Sequence, residues 1–277
     1  MEFSVLITVY EKEKPYNLRK SLLSSYRQTI KPTEIVLVCD GELTQELYDE
    51  IEQIKSEIPI LKVYQLPSNV GSGPASCFGV KKCNTDLIAR MDSDDYSEET
   101  RFEKQIKAFE ENPNLIMVGT NILEKNTEFT ALKIVPEMTA EIREYSKFRN
   151  PFNNPSCMMK KEYILNVGNY RNFRYLEDYD LTMRLIHDNP TKDFLNIQEP
   201  LVIMQTNNLS YLRRGGLLYV KTEFFLQSDF YKRGYISKLE FCRNIFIRNI
   251  VRLMPNSMRK LIYKKKMRES VEEKSTI

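Results

Sequence analysis

Over the first 111 residues, short and almost wholly apolar runs alternate with amphipathic stretches, and this rhythm restricts the fold more than any other feature. Phe3 to Val9, Glu34 to Cys39, Ile60 to Leu66 and Leu87 to Met91 have the length of strands. The stretches near Tyr16 to Arg27, Thr44 to Glu57, Pro74 to Lys82 and Glu98 to Glu111 have the spacing of helices. Short apolar strands alternating with helices specify an α/β chain whose parallel sheet is covered on both faces. After Leu115 to Leu123 the rhythm loosens, and a mixed region containing Pro151 and Pro155 leads to a helix near Glu177 to His187. From about Gly215 the pattern is helical, with Pro255 opening a last short helix.

A chain of 277 residues, 42% apolar and 29% charged, buries a sizeable core as one large domain or one domain with an appendage, which excludes collagen, coiled coil and wholesale disorder. The five cysteines form no CxxC pair and His187 is the only histidine, so a structural zinc site lacks ligands at usable spacing. Reduced thiols in a cytoplasmic chain are the simplest expectation. The start, Met1 to Thr8, has neither the basic leader nor the cleavage site of a signal peptide, and no stretch reaches the roughly 18 apolar residues of a spanning helix.

The net charge of +3 is unevenly spread. Residues 231 to 268 hold six Lys and six Arg against Glu240, a balance of +11, and with −2 over residues 269 to 277 the first 230 residues carry −6. An acidic body with a basic tail suits nucleic acid or anionic lipid. Within the tail, Ile245, Phe246, Ile247, Ile250, Val251, Leu253 and Met254 alternate with Arg248 and Arg252 at helical spacing, as in a helix that lies on a membrane.

Open parallel sheets bind ligands at the carboxyl ends of their strands, which here carry Thr8 and Tyr10, then Asp40 and Gly41, then Asp92, Ser93, Asp94 and Asp95. Asp92 and Asp94 alternate, so their carboxylates can converge on a hard cation that carries a diphosphate. The same residues equally suit an Asp-rich turn capping the next helix. Ser68 to Ala75 places Gly71, Gly73 and Pro74 before a helix, as in a phosphate-cradling loop or an ordinary tight turn, and matches neither nucleotide-binding glycine fingerprint. Glu177-Asp178-Tyr179-Asp180 opens a helix, where acids complement the dipole or supply a general base.

Taken in order, Ser4 to Tyr10, Gln28-Thr29, Glu34 to Gly41, Asn69-Val70-Gly71, Ala89 to Asp95 and Glu177 to Leu181 resemble an inverting family-2 glycosyltransferase of the GT-A fold, a Rossmann-like, mainly parallel sheet flanked by helices. The resemblance covers about residues 1 to 205. It is greatest to enzymes of bacterial capsule, exopolysaccharide, O-antigen and amylovoran synthesis, whose C-terminal features have counterparts in Arg213-Arg214-Gly215-Gly216 and Arg259 to Tyr263.

The resemblance implies a catalytic domain over residues 1 to 210, with a nucleotide-sugar half to about residue 97 and an acceptor half from 98, followed by a basic amphipathic helical extension over 211 to 277. It places Thr8, Tyr10 and Asp40 around the uracil of a UDP-sugar, Asn69 and Gly71 in the glycine loop, and Arg90 and Asp92 near ribose and diphosphate. Asp94 would coordinate Mn²⁺ or Mg²⁺, and Asp178 would deprotonate the hydroxyl of a lipid-linked saccharide acceptor. The expected enzyme moves one hexose or N-acetylhexosamine, is cytoplasmic, and is peripheral on the inner face of the cell membrane, an anionic surface that its C-terminal helices meet.

Departures from the family pattern are Cys39 before Asp40, Glu42 in place of Ser, Asn154-Pro155 for His-Pro, Cys77 for Asn and Thr182 for an aromatic residue. No QxxRW motif is present, which argues against a processive polymerase. A sugar-nucleotide pyrophosphorylase would carry a glycine-rich loop with a basic residue after the first strand, where Thr8-Val9-Tyr10-Glu11 stand here. A non-catalytic nucleic-acid-binding protein would show an aromatic-studded basic sheet face, whereas this charge lies on amphipathic helices; no nucleic-acid partner is expected.

Overall fold

The computed structural model describes residues 1–126, 130–206, 216–253 and 269–270. Strands β1 (Phe3–Val9), β2 (Glu34–Cys39), β3 (Leu61–Gln65) and β4 (Leu87–Asp92) lie side by side, all parallel, in the order β3-β2-β1-β4. All of β2 is buried and all of β1 except Thr8, which is why both read as apolar runs rather than alternating patterns. The chain steps outward from β1 to β3 and then crosses back to β4 on the other side of β1. That reversal opens a crevice at the carboxyl ends of β1 and β4.

The crossovers are α1 (Pro15–Tyr26), α2 (Gln45–Lys55) and α3 (Ser72–Lys82), and α4 (Arg101–Glu111) follows the strand end of β4. Local chemistry accounts for them. Pro15 sits at the start of α1, where its missing N–H costs nothing. Thr44 caps α2 by accepting the Leu47 N–H, Glu46 and Lys55 suit its two dipole ends, and Leu47, Ile51 and Ile54 turn inward. Gly79 lets α3 lie directly on the sheet, because a Cβ there would stand 2.3 Å from Leu6 Cδ1.

Beyond β4 the sheet becomes mixed. Strand β5 (Tyr96–Ser97) is followed by β6 (Leu115–Lys125), β7 (Thr130–Lys133), β8 (Met158–Lys160) and β9 (Asp193–Gln205). β8 inserts antiparallel between β4 and β6, β7 pairs antiparallel with β6, and β9 runs parallel to β6 while pairing antiparallel with β5. The β6–β9 register shifts on both sides of Asn121, opposite Pro200, where a residue without an N–H breaks no regular ladder. Glu269–Ser270 forms a further two-residue strand on β7.

The remaining helices are α5 (Thr139–Ser146), α6 (Lys161–Asn166), α7 (Glu177–Asp188), α8 (Leu217–Lys232) and α9 (Lys238–Leu253). Two large apolar clusters fill the faces of the sheet. A third joins Leu176, Tyr179 and Met183 to Tyr219, Leu226, Phe230 and Ile236, so α8 packs on α7. Each fully buried side chain of this size contributes about 1.5–3 kcal/mol. The expected boundary near residue 210, Arg213 to Gly215, the short helix after Pro255 and Arg259 to Tyr263 lie outside the described residues. Among the described residues no helix is long and apolar enough to cross a membrane.

Candidate active site

Asp40 follows β2 and donates its N–H to Val9 O at 2.7 Å, which ties the ends of β1 and β2 together. Its buried carboxylate accepts the Val70 N–H on Oδ1 at 2.7 Å and the Gly71 N–H on Oδ2 at 2.9 Å. Asn69 Nδ2 donates back to Asp40 O at 3.2 Å. Gly41 allows this closeness, since it has φ +83° and a Cβ there would come within 2.5 Å of Asn69 N. Asp40 therefore fastens the glycine loop to the sheet, and each of its oxygens keeps a lone pair for a further donor.

The loop borders a cleft of about 690 Å³ whose lining includes Thr8, Tyr10, Asp40, Asn69, Gly71 and Glu177. Five residues expected around a nucleotide are thereby brought to one cleft. Gly73 packs on the start of α7, where a Cβ would meet Arg171 O at 2.5 Å and Glu177 Cβ at 3.2 Å. The first turn of α7 is in this way held against the loop before α3.

Asp92, Ser93, Asp94 and Asp95 form a turn at the end of β4, with the Asp95 N–H donated to Asp92 O at 3.3 Å. Asp92 and Asp94 are half-buried, whereas Asp95 points into the protein, where its Oδ1 accepts the Gln205 N–H and its Oδ2 has no hydrogen-bond partner among the described residues. Burial, then the charges of Asp94 and Asp92, pushes the Asp95 carboxyl well above the usual range. Asp92 is also raised, by burial first, with Arg90 opposing and Asp178 reinforcing. The carboxylates of β4 and α7 thus share one electrostatic field.

Arg90 is buried beneath this turn: its Nη1 donates to Leu6 O at 3.0 Å, its Nη2 stands 3.7 Å from Asp92 Oδ1, and it lies over the Tyr170 ring. It is placed to support Asp92 from inside. Arg101 and Gln105, which no sequence signal singled out, complete that support. Arg101 donates to Arg90 O at 2.8 Å and Gln105 to Val118 O and Ser156 O, each at 2.8 Å. Burial lowers the Arg101 guanidinium to about 9.

The four-residue acidic start of α7 divides into different roles. Asp180 is fully buried between Arg171 and Arg184, and a carboxylate held by two guanidiniums is a structural ion. Asp178 accepts Asn150 Nδ2 at 3.0 Å and the Tyr179 N–H at 2.8 Å, and faces a small hollow beside Asn154, Tyr170 and Thr182. Burial raises its pKa while those two hydrogen bonds draw it down. Glu177 instead lines the large cleft, and burial followed by repulsion from Asp178 pushes it up to about 7. His187 stacks on Tyr235 at 4.8 Å, and burial lowers it to about 4, so it is a neutral interface residue.

Among the described residues no set of three or more His, Cys, Asp or Glu side chains is arranged as a metal centre. Two carboxylates at a strand end fit a Mg²⁺ or Mn²⁺ whose remaining ligands are substrate phosphates and water. The all-oxygen donor set of Asp92 and Asp94 suits such a hard ion.

A sequence profile described as Glycosyl transferase family 2 matches residues 4–168, well over half of the chain. The chain belongs to glycosyl transferase family 2. The profile spans the glycine loop and the Asp92 turn and stops before α7. The chain is 37% identical over 272 residues to a UDP-Gal:alpha-D-GlcNAc-diphosphoundecaprenol beta-1,3-galactosyltransferase of Escherichia coli, covering 96% of this chain and 97% of the relative. It is 31% identical to the amylovoran biosynthesis glycosyltransferase AmsE of Erwinia amylovora, covering 95% and 98%. In three dimensions it is similar to S. aureus TarS 1–349 in complex with UDP-GlcNAc, with a TM-score of 0.65 and 17% identity over 99% of this chain and 77% of that one. This family-2 glycosyltransferase has the GT-A fold.

Proposed function

We propose that the protein transfers one hexose or N-acetylhexosamine from a UDP-sugar to a lipid-linked saccharide during bacterial surface polysaccharide synthesis, with inversion and without processivity. The observation that carries this reading is the meeting, at the carboxyl ends of the parallel strands, of the Asp40-anchored glycine loop, the Asp92–Asp94 turn and the carboxylates opening α7. A relative whose name gives a UDP-sugar donor and a diphosphoundecaprenol acceptor supports it.

Thr8, Tyr10 and Asp40 receive the uracil, with a remaining lone pair of Asp40 accepting its N3–H. Asn69 and Gly71 close the cleft beside the nucleotide. Asp94 with Asp92, which Arg90 backs, would hold Mn²⁺ or Mg²⁺. When bound, that ion stabilises negative charge on the departing diphosphate. Asp178 takes the proton from the acceptor hydroxyl as its oxygen attacks the anomeric carbon, and a single in-line displacement turns an α-linked donor into a β-linked product. Incubation with a panel of UDP-sugars and polyprenyl diphosphate-linked acceptors should release UDP with at least one pair. No release with any pair and either metal would overturn the reading.

The same reading places the enzyme on the inner face of the cell membrane. Helix α8 exposes Leu217, Leu218, Phe224 and Phe225 beside Lys221, and α9 exposes Leu239, Phe246, Ile247 and Ile250 beside Lys238. These positions recur at helical spacing, so each helix has one apolar, lysine-flanked face. Such faces gain from lipid burial and by about 1 kcal/mol per basic residue near an anionic surface. Flotation with liposomes should increase with anionic lipid and weaken with salt, and Phe225→Glu with Phe246→Glu should abolish it. Binding indifferent to salt and to both substitutions would contradict this placement.

A further inference from the structure

The last carbonyls of a helix have no donors within the helix and must find them elsewhere. At the end of α5 three successive carbonyls are met by side chains distant in sequence. Ser146 O accepts from Tyr179 Oη at 2.6 Å, Lys147 O from Asn244 Nδ2 at 2.8 Å, and Phe148 O from the Arg248 guanidinium. A guanidinium at this end also suits the helix dipole.

Asn244 and Arg248 belong to α9, and both are themselves fixed. Asn244 is buried and also donates to Gln227 Oε1 at 2.9 Å, and Arg248 pairs with the fully buried Glu223 of α8. Arg243 adds a cation over the Phe148 ring at 3.8 Å.

Two residues past Phe148 stands Asn150, whose Nδ2 holds Asp178 Oδ2. On the other side, Arg248 lies 5.3 Å from the centre of the Tyr179 ring, and Tyr179 follows Asp178 in α7. Helix α9 therefore grips both chain segments that carry the surroundings of Asp178. We propose that Arg248 and Asn244 are positioning residues for Asp178, and that the C-terminal helical pair completes the acceptor half of the active site. This rests on the reading of Asp178 as the base.

The test is a double-mutant cycle in the full-length enzyme. Arg248→Lys keeps a cation opposite Glu223 but lacks the planar fork that serves Glu223 and Phe148 O together. Asn244→Ala leaves Lys147 O uncapped without touching any charge. Because displacement of a reacting group by about an ångström costs on the order of 100-fold, each variant should lower kcat by roughly 10-fold or more. Affinity for UDP, measured by calorimetry, should stay within about twofold, since the donor cleft is untouched.

In an Asp178→Asn background, neither substitution should lower the residual kcat further. Unchanged kcat in both variants, an equal loss in the Asp178→Asn background, or parallel loss of UDP binding in both would overturn the inference while leaving the base assignment intact. Normal kcat in Asp178→Asn alone would instead remove the base assignment, and the inference with it.

Discussion

Asn150 and Asp178 are joined by a 3.0 Å hydrogen bond from Nδ2 to Oδ2, although they lie 28 residues apart, one before the Asn154–Ser156 turn and the other in the first turn of α7. This bond favours the ionised form of a carboxylate whose burial favours the neutral one. Asp178→Asn should lower kcat by about 100-fold or more with UDP affinity nearly unchanged. As a base, Asp178 acts when ionised, so kcat falls as pH drops through its pKa. Asn150→Ala removes a bond that lowers this pKa, so the acid limb of the pH–kcat profile should move to higher pH. A limb moving lower, or a fully active Asp178→Asn enzyme, would contradict the assignment.

Asp94→Ala should abolish transfer supported by Mn²⁺ or Mg²⁺ while the far-ultraviolet circular dichroism stays that of the unaltered enzyme. The half-buried side chain lies in a turn whose backbone bond, Asp95 N–H to Asp92 O, does not involve it. Full activity of the unaltered enzyme in EDTA would remove the metal from the account.

The Asp40 carboxylate anchors Val70 and Gly71, and in the proposed function it also faces the base. Cytosine N3 offers only an acceptor where uracil offers N–H, so UDP should bind better than CDP. Asp40→Ala should erase that preference and weaken UDP by about 10-fold or more, the worth of a hydrogen bond to a charged group. Equal affinities of UDP and CDP for the unaltered protein would refute the placement at the base.

The organisation of β1, β2 and β4 was legible because strands buried on both faces and helices with one apolar side leave opposite periodicities, whereas β3 is only partly covered and was read from its apolar residues and its place between two helices. The glycine loop and strand-end acids could likewise be ordered from spacing. The second half was not legible for local reasons. β8 has three residues, β5 has two, and β9 carries Gln198, Glu199 and Pro200 at a register shift that breaks any periodic pattern. Asn150, Arg101 and Gln105 gave no signal, since a polar residue acquires its role only when distant carbonyls and carboxylates are folded against it. The basic tail read as one amphipathic unit, yet Asn244 and Arg248 face inward while Phe246 and Ile247 face outward.

Stability should depend on pH through Glu34, at the amino end of β2. Burial pushes its carboxyl up, but hydrogen bonds from Lys62, Ser4 and Asn84 prevail and hold it down to about 2. A depressed folded pKa gives stability that is complete above the unfolded value of about 4.3 and is lost as pH falls toward 2. Glu34→Gln should lower Tm at pH 7 and reduce the decline of Tm between pH 5 and 3, measured by scanning calorimetry. Identical Tm-versus-pH curves for the two proteins would show that the network contributes nothing.

The central claim, a single-displacement sugar transfer from a UDP-sugar, is tested most directly by the stereochemistry of its product. With an α-linked UDP-sugar and a polyprenyl diphosphate-linked acceptor, proton NMR of the isolated saccharide should show a new β-linkage, and one UDP should be released per linkage formed. An α-linked product, or UDP release with no glycosidic bond made to the acceptor, would contradict it.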